Sequence, residues 1–420
     1  MNIAIIVRRL DGKGGTQRQA LILARELISR GHGVKLYTLR FNKERCYPEL
    51  SSNLDIASLE RVLSGFPRRW AAFLGRFSGF LQETYLAKRL SLLIDRGTEI
   101  LNPHDSVAYR AAYFVKKRET SHQNKFGTGQ AKNKKYVPSV WAMNDVPAFA
   151  WTYDRIGAFE PVWHSPLRRF IMRVLDWYDR RRFIAGQDII AVLDHFNEGL
   201  VRKYLGRESV ITRLGIDAGQ FSFVPHAPPA SRRVRLLAIG IFFPHRRFED
   251  AIEAIVILRS RGYDAALTII GSPKPAPSYA ERLRKLVAER GIASYVDFAG
   301  EVSETDLIRA YREHDVFVFT NYLQTWGHVP LEAMATGIPA IVSRGAGVHE
   351  VLSDGETALL VNPKSPGQIA DAAERLLKDP ALYRKLVERG RKFVEERITW
   401  GGYTEAILDL FRRALTRSAA

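Results

Sequence analysis

The residues of this chain whose types and spacing best suit chemistry lie in one strand–helix–strand segment, residues 315–363. Gln324 and Glu332 stand eight positions apart in a predicted helix, Gln324–Thr336, with Gly327 between them at its entrance. Glycine there lets a ligand approach the backbone, and the unpaired amides of a first helical turn attract anions. The carboxylate of Glu332 is placed to accept hydrogen bonds from a pair of ligand hydroxyls. The alternative is an ordinary crossover helix with Glu332 at its surface.

A second candidate ligand site follows the first predicted strand, the apolar run Ile3–Val7. Gly14 and Gly15 lead into a helix whose apolar residues keep helical spacing, and the next strand begins at Val34. A glycine loop at a helix start, at the carboxyl end of a strand, suits anions or sugar hydroxyls. The third glycine of the dinucleotide fingerprint is missing, and so is the Gly-Lys-Ser/Thr of a P-loop. The alternative is that the glycines serve only a tight turn.

Further polar groups follow predicted strands in both halves of the chain. His104 and Asp145 each stand at the end of a strand, where open α/β sheets bind ligands. For His104 the alternative is a hydrogen-bonded structural histidine. In the second half, Arg246 and Arg247 lie in a loop between a strand and a helix, and their guanidinium groups suit a diphosphate. Gly271, at the end of the next strand, lines the same predicted crevice.

The length and the alternation of patterns predict two α/β domains. The chain has 420 residues, more than one hydrophobic core usually supports. Strand and helix patterns alternate in both halves, which predicts two doubly wound parallel sheets. The Pro-rich segment 224–230 is the predicted linker, so the first domain is placed at 1–225 and the second at 226–398. In the second domain we expect helices at 249–261, 278–290 and 304–313 and strands at 234–239, 266–270, 296–298, 316–319 and 340–343.

The formal net charge of +18 predicts an anionic partner. Residues 60–94 and 166–184 mix apolar and aromatic residues with arginines, as helices at a bilayer surface do. The alternative for each is an apolar stripe in the core, flanked by solvated arginines. A basic, polar loop at 116–135 adds to the positive charge. Because no nucleic-acid-binding motif is recognisable, we expect an anionic membrane surface as the partner, and no nucleic acid.

The cysteine content and the lengths of the apolar runs predict the cellular location of the protein. Cys46 is the one cysteine, which excludes an intrachain disulfide and fits a reducing compartment. The apolar run at the start is too short for a signal peptide, and no uncharged run approaches the ~18 residues of a membrane span. We therefore expect a cytoplasmic protein, peripherally associated with the cytoplasmic face of the membrane.

The segment Leu331–Pro339 (LEAMATGIP) closely resembles part of the Glu-x7-Glu signature of the retaining nucleotide-sugar glycosyltransferases of family four. Arg213–Asp217, Val361–Pro363 and the Gly-Gly loop resemble other parts of the same family, so the resemblance covers nearly the whole chain. It implies the GT-B fold, in which two doubly wound domains face a cleft. The last helix, within 399–420, would cross back to the first domain.

The resemblance also implies roles for the matching residues. Glu332 would bind the ribose hydroxyls of a nucleotide-sugar donor, Arg246 would bind its diphosphate, and His104 or Asp145 would lie on the acceptor side. The catalytic side chains would be Gln324, His104 and Asp145. The donor would be bound by Gly14, Gly15, Arg246, Arg247, Gly271, Trp326, Gly327, His328, Val329 and Glu332. No Asp-x-Asp motif is present to hold a metal–diphosphate, so we expect no metal ion and no cofactor besides the co-substrate.

The chain departs from the family pattern at three positions. Gln324 stands where the signature has its first glutamate. Ile241 stands where the family has a phosphate-binding arginine, and Arg247 would compensate for its loss. Asn144 stands where the family often has a histidine. The expected activity is sugar transfer, with retention of configuration, to a glycan or lipid-linked acceptor such as a lipopolysaccharide precursor. Residues 37–46 resemble the mannosyltransferases of lipid-linked oligosaccharide assembly, which makes GDP-mannose a candidate donor. The alternatives are a non-catalytic sugar-nucleotide-binding subunit and a nucleotide-sugar 2-epimerase of the same fold.

Overall fold

The computed structural model describes residues 1–59, 71–122, 136–157, 166–229 and 232–419. The chain forms two compact units, one made of Met1–Leu214 with Trp400–Ala420 and the other of Gly215–Thr399. Both are α/β units in which all paired strands of the described residues run parallel. The predicted fold class of two parallel-sheet α/β domains is confirmed.

The strands and helices are numbered in chain order. The strands are β1 (Asn2–Val7), β2 (Gly33–Thr38), β3 (Ile56–Ser58), β4 (Ile100–Pro103), β5 (Val140–Ala142), β6 (Ile189–Val192), β7 (Val210–Ile211), β8 (Arg233–Ile239), β9 (Asp264–Ile270), β10 (Val296–Gly300), β11 (Val316–Phe319), β12 (Ala340–Ser343) and β13 (Leu359–Val361). The helices are α1 (Gly15–Ser29), α2 (Pro48–Ser51), α3 (Ala71–Ser91), α4 (Ser106–His122), α5 (Phe149–Gly157), α6 (Pro166–Asp179), α7 (His195–Leu200), α8 (Phe248–Ser260), α9 (Pro277–Glu289), α10 (Glu304–Glu313), α11 (Val329–Thr336), α12 (Pro366–Lys378), α13 (Pro380–Arg397) and α14 (Trp400–Ala419).

The first unit contains two sheets, with strand orders β3-β2-β1-β4 and β5-β6-β7. The strands are short apolar runs buried by helices, so their residues are almost wholly shielded from water, as in β1. A parallel bridge between Leu101 and Ser139 links β4 to β5. Asn102 strengthens the link, because its Nδ2 donates to Val140 O at 2.7 Å. The carboxyl ends of β4 and β5 therefore lie side by side.

The last helix, α14, belongs to the first unit and packs on α1. Gln19 on α1 donates from Nε2 to the Tyr403 hydroxyl of α14 at 2.7 Å, and both side chains are buried. Nearer the surface, Arg30 Nε lies 3.0 Å from Glu405 Oε1. These contacts hold the end of the chain against the helix that follows the Gly-Gly loop.

The second unit has one sheet of order β10-β9-β8-β11-β12-β13. The chain starts at β8 in the middle, builds outward through β9 and β10, and then returns to the other side of β8 with β11. This reversal makes a topological switch point between β8 and β11, where open α/β sheets bind ligands at the carboxyl ends of the strands. A continuous core supports the sheet, including Leu236, Ile255 and Val318.

The two units divide after Leu214, upstream of the predicted linker. The segment that follows is hydrogen-bonded into the second unit, since Ile216 N donates to Ile398 O at 3.0 Å. Arg391 of α13 also donates from Nη1 to Phe221 O at 2.8 Å. The Pro-rich composition of 224–230 did not indicate this, because the anchoring bonds come from residues distant in sequence.

A buried ion-pair network joins α3, α4 and α6. Arg110 of α4 is 3% exposed, and its Nε lies 3.0 Å from Asp179 Oδ1 at the end of α6. Its Nη1 lies 3.2 Å from Glu83 Oε2 of α3, and the guanidinium stands over the Phe80 ring. A charge so deeply buried is tolerated only when it is paired, so each carboxylate is needed to keep Arg110 inside.

We predict that Asp179→Ala destabilises the first unit, because it leaves Arg110 buried with one carboxylate fewer. Removing one partner of a buried pair costs about 3–5 kcal/mol. Calorimetry of the full chain measures the loss as a lower unfolding temperature. The matched control is Asp371→Ala, which removes a carboxylate that is 64% exposed from its pair with Arg261. An equal, small effect of both substitutions would contradict the importance of the buried network.

Candidate functional site

The loops after β8 and β11 are hydrogen-bonded to each other at the switch point of the second sheet. Tyr322 N donates to His245 O at 2.8 Å. The Thr320 hydroxyl donates to Arg246 O at 2.6 Å, and Thr320 is buried. The loop with the two arginines therefore has a fixed position against the loop that leads to α11.

Two glycines bring the ends of β8 and β9 into direct contact. A Cβ atom at Gly271 would lie 1.9 Å from Gly240 O, and the φ of Gly271 is 151°, so no other residue fits. Gly240 N in turn donates to Ile270 O at 2.9 Å. From the sequence, Gly271 was predicted to line a ligand crevice. In the structure it lies at a strand end, where glycine is needed because the backbones of β8 and β9 approach each other closely.

The adjacent arginines of the β8 loop are held in different ways. Arg247 has a left-handed φ of 55° and clamps Asp250, with Nε–Oδ2 at 3.0 Å and Nη2–Oδ1 at 2.6 Å. Its Nη1 also lies 2.8 Å from Glu249 Oε1. The side chain of Arg246 instead lies along Gly240: a Cβ atom added at Gly240 would be 3.3 Å from both Cδ and Nε of Arg246. Two carboxylates thus balance the charge of Arg247, which fixes the loop, whereas Arg246 reaches the strand end.

The segment between β11 and α11 is a loop, although the sequence predicted a helix from Gln324 onward. The α-helix begins at Val329, because Leu323 and Trp326 have left-handed φ values of 54° and 37°. Pro330 occupies the first turn, which suits a residue without an amide hydrogen. The helix periodicity of the sequence could not locate this start, since the loop residues include apolar ones.

Within this loop, Trp326 is packed in the interior and Gly327 has no room for a side chain. Trp326 is only 2% exposed. A Cβ at Gly327 would lie 2.9 Å from the Phe319 ring, at a φ of 145°. His328 occupies the N-cap of α11 without a side-chain capping bond, so the first amides of the helix are not capped by that side chain. That the backbone amides of residues 326–329 bind a ligand stays a prediction.

Glu332 lies in the first turn of α11, at the same edge of the sheet. Its Oε2 accepts a hydrogen bond from the Tyr311 hydroxyl at 3.2 Å. Tyr311, on α10, is completely buried, and burial raises its pKa well above the ordinary value, so the phenol stays a donor. The carboxylate is thereby oriented at the helix start. Sequence reasoning missed Tyr311, whose one signal was its position on the buried face of an amphipathic helix.

Gln324 is fixed by its backbone on both sides and leaves one polar atom unsatisfied. Its N donates to Gly345 O at 3.2 Å, and Gly347 N donates to Gln324 O at 2.9 Å. The side-chain Nε2 donates to Thr325 O at 2.8 Å. Among the described residues, Oε1 of Gln324 and Nδ2 of the nearby Asn321 are buried without hydrogen-bond partners. Such atoms are rare in folded proteins and indicate groups that a ligand or water completes.

In the first unit, the Gly-Gly loop ends at the start of α1. Gly14 is the N-cap in an extended conformation, and α1 begins at Gly15. A Cβ at Gly15 would have no atom within 4 Å, so Gly15 is not required by packing. The first turn of α1 carries no acidic residue, which leaves its amides suited to an anion.

His104 and Asp145, predicted as catalytic, are in very different surroundings. His104 is 3% exposed, its Nε2 lies 2.9 Å from Asn102 Oδ1, and burial lowers its pKa to about 3. The contact with Asn102 and the lowered pKa favour the structural alternative, while Nδ1 is buried without a hydrogen-bond partner among the described residues. The Asp145 side chain is 50% exposed, and it is engaged by Arg155 at 2.9 Å and by Trp151 Nε1 at 3.1 Å.

Asn144, one of the departures from the family pattern, ties the β5 loop to α1. Its Nδ2 donates to Thr16 Oγ1 at 3.0 Å and to Gln19 Oε1 at 2.7 Å. Its Oδ1 is buried without a hydrogen-bond partner in the described part of the chain. A histidine could not donate from one atom to both oxygens, so the asparagine has a specific positioning role that the sequence did not reveal.

Part of the second unit matches a known family, and parts of the chain are similar to known enzymes. Residues 226–393 match the family model described as "Glycosyl transferases group 1". A D-inositol 3-phosphate glycosyltransferase of Acidothermus cellulolyticus is 38% identical over 37% of this chain and 35% of that protein. A GDP-mannose-dependent alpha-(1-6)-phosphatidylinositol monomannoside mannosyltransferase of Mycobacterium tuberculosis is 26% identical over 55% of this chain and 63% of that protein. The matches thus span less than two thirds of the length of these relatives.

Solved structures match over nearly the full length. A sucrose-phosphate synthase from Thermosynechococcus elongatus superposes with a TM-score of 0.70 over 99% of both chains, at 20% identity. A lipopolysaccharide outer core galactosyltransferase has a TM-score of 0.64 over 98% of this chain and 100% of its own, at 14% identity. At these identities the similarity establishes the fold, which is that of the GT-B glycosyltransferases, as predicted. The match to the group 1 glycosyl transferase model thus covers most of the second unit.

Proposed function

We propose that the chain is a hexosyltransferase that moves a sugar from a nucleotide-diphosphate sugar to a glycan or lipid-linked acceptor, with retention of configuration. One observation carries the proposal: Glu332, oriented by Tyr311, lies in the first turn of α11 at the switch point of the second sheet. This part of the chain lies within the match to the glycosyl transferase family. The carboxylate is suited to the paired hydroxyls of a ribose.

The diphosphate would be bound by positive groups of the second unit. Arg246 extends along the end of β8, and the uncapped first turn of α11 supplies amide donors. Donors fixed in place stabilise the charge that develops on a leaving group without reorganisation. The proposal includes no divalent cation, because these groups supply the positive charge that a metal ion would supply.

Gln324 would contact the transferred sugar through its unsatisfied Oε1. An amide can accept a hydrogen bond from a sugar hydroxyl but has no charge to stabilise an oxocarbenium-like centre. That charge would be balanced by the departing diphosphate instead. The same observation supports a second candidate function, a non-catalytic subunit that binds the nucleotide sugar and transfers nothing. The family match disfavours the 2-epimerase.

The acceptor would be reached at an anionic membrane surface through the first unit. The apolar stripe of α6 lies on the surface, where Leu167 is 67%, Phe170 64% and Trp177 53% exposed, while its opposite face buries Met172 and Leu175. Apolar side chains beside arginines on an exposed helix face suit the headgroup region of a bilayer. The mycobacterial relative is named for a phosphatidylinositol monomannoside acceptor.

The predicted membrane surface is described in part. Residues 60–70 and most of the basic loop, residues 123–135, lie outside the described residues. In the parts of the chain that the structure describes, no helix is both long and apolar enough to cross a bilayer. The support for surface binding therefore comes from α6 and from the neighbouring α3, where Leu81 and Tyr85 are also exposed.

We expect one class of nucleotide sugar to raise the unfolding temperature of the full chain in excess chelator. Ligand at 100 times its Kd stabilises the folded state by about 2.7 kcal/mol. Glu332→Gln should weaken this binding about tenfold or more, because a charge-assisted hydrogen bond to the ribose contributes about 1.5–3 kcal/mol. A thermal-shift titration with GDP-, UDP- and ADP-sugars measures both effects.

The matched control for that titration is Glu396→Gln, on the surface of α13, where the side chain is 59% exposed. It should bind the donor as the natural protein does. If no nucleotide sugar stabilises the chain, the donor site is wrong, and if stabilisation requires a divalent cation, the metal-free proposal is wrong.

We predict that Gln324→Glu lowers sugar release from the donor. A carboxylate oxygen would replace the Nε2 that donates to Thr325 O, and two acceptors would then face each other. This part-buried bond contributes about 0.5–1.5 kcal/mol, so we expect a loss of roughly two- to tenfold. Release of nucleoside diphosphate from the donor measures the rate, and affinity for free nucleoside diphosphate, which lacks the sugar, is the internal control. Higher turnover in the variant would show that the glutamine is a weakening of the site.

We expect Phe170→Ser with Trp177→Ser to reduce flotation with anionic liposomes about tenfold or more, since each apolar side chain that enters the interface contributes about 1.5–3 kcal/mol when fully buried. The control pair, Ile28→Ser with Val210→Ser, removes apolar residues that are 42% and 39% exposed elsewhere on the first unit. Equal flotation of both double variants would refute membrane binding through α6.

A further inference from the structure

The loops after β1 and β2 form one rigid structure, here called the β1–β2 rim (residues 8–16 and 39–47). Leu39 N donates to Arg8 O at 3.1 Å, Leu10 N to Arg40 O at 2.8 Å, and Asn42 N to Leu10 O at 2.9 Å. Leu10 and Cys46 are completely buried beneath the rim. The Tyr47 hydroxyl lies 3.4 Å from Gly14 O, which joins the second loop to the Gly-Gly loop. Side chains on the rim therefore project from a fixed backbone.

The rim is strongly basic, and much of its charge is not compensated. Its exposed cations without a carboxylate within salt-bridge distance among the described residues are Lys13, Arg40, Lys43 and Arg45. Two further cations are paired: Arg9 with Asp11 at 2.7 Å, and Arg8 with Glu83 at 2.8 Å. Glu44 is the one remaining acid in the two loops. A concentration of cations on a rigid backbone attracts a multiply charged anion more than it attracts single charges.

The carboxyl edge of the first unit is not uniformly basic, and one acid contacts the rim itself, since Asp105 Oδ2 accepts from Arg8 N at 2.5 Å. The loops after β4, β5 and β6 carry acids there instead, namely Asp105, Asp145 and Asp194. Asp105 caps α4 by accepting from Ala108 N at 3.0 Å, and Asp194 caps α7 in the same way. The rim is thus a local feature and not part of a uniformly basic surface.

We propose that the β1–β2 rim binds a phosphate group carried by the acceptor, so that the acceptor substrate is a phosphate ester. This inference rests on the proposed function, because it names the chemical class of the acceptor. The rim lies at the strand ends where open α/β sheets bind ligands, beside the start of α1. Arginine offers a fork of donors that matches phosphate oxygens, and lysine adds a compact charge.

The surroundings of the rim favour a phosphate that joins a sugar to a lipid. Arg8 Nη1 lies 2.8 Å from Glu83 Oε1 of α3. The helix α3 meets α6 through Phe80 and Tyr178, whose ring centroids are 6.2 Å apart. The rim is therefore connected, through α3, to the helix with the exposed apolar stripe. A phosphate in the rim would be bound by protein cations, whereas the lipid chain would extend toward α6.

Isothermal titration calorimetry of the full chain tests the rim, and each titration is repeated with Arg246→Gln, which weakens phosphate binding at the candidate donor site without adding a competing phosphate. The probes are glucose 1-phosphate, inorganic pyrophosphate and glucose. The rim variant is Arg40→Gln with Arg45→Gln. The charge-matched control is Arg202→Gln with Lys203→Gln, whose side chains are 64% and 67% exposed.

We expect both phosphate probes to bind the natural protein and the control, glucose to bind neither, and the rim variant to bind the phosphate probes about tenfold or more weakly. Equal affinity in the rim and control variants would overturn the proposal. It would also be overturned if the rim variant kept phosphate binding but lost flotation with phosphatidylglycerol liposomes, since the cations would then serve the membrane surface alone.

The donor titration keeps this test separate from the proposed function. The rim variant should be stabilised by nucleotide sugar as the natural protein is, because it changes only Arg40 and Arg45 and leaves every predicted donor-binding residue in place, including Gly14 and Gly15 of the rim. If no nucleotide sugar stabilises the natural protein, the proposed transferase function is refuted. The difference in phosphate affinity between the rim variant and the control variant would still decide whether the rim binds phosphate.

Discussion

The hydrogen bonds between the loop after β8 and the loop after β11 are the constraint on which the candidate donor site depends. Thr320 and Tyr322 fasten one loop to the carbonyls of Arg246 and His245. Because β8 and β11 flank the switch point, this attachment brings an arginine, an uncapped helix start and an oriented carboxylate to a single edge of the sheet. Arg247 is held by two carboxylates and stabilises the loop, so Arg246 is the proposed phosphate ligand.

Much of the second unit could be predicted from sequence, because its elements are regular and their apolar patterns are unambiguous. The helix 304–313 and the strands Val316–Phe319 and Ala340–Ser343 have the predicted bounds. The start of α11 could not be predicted, since it depends on two residues with left-handed φ values whose conformations arise from tertiary contacts. Tyr311 was missed for the same reason, because its bond to Glu332 joins two helices.

In the first unit, periodicity located the apolar stripe of α6 but could not decide whether it faced the core or the solvent. The helix turns another face inward, with Met172 and Leu175, because Asp179 at its end is held by Arg110. Burial likewise changes the interpretation of His104, whose position at a strand end suggested chemistry. Its contact with Asn102 supports the link between β4 and β5 instead. Sequence spacing cannot reveal which charged or polar groups become paired and buried.

The central claim is that the nucleoside diphosphate of the donor binds at the carboxyl edge of the second sheet, against the loop after β8 and the start of α11. Hydrogen–deuterium exchange of the full chain, with and without saturating nucleoside diphosphate, tests it most directly. The account predicts slower exchange of the amides in residues 240–247 and 326–332 when the ligand is bound. Unchanged exchange in both segments, with protection elsewhere in the chain, would contradict it.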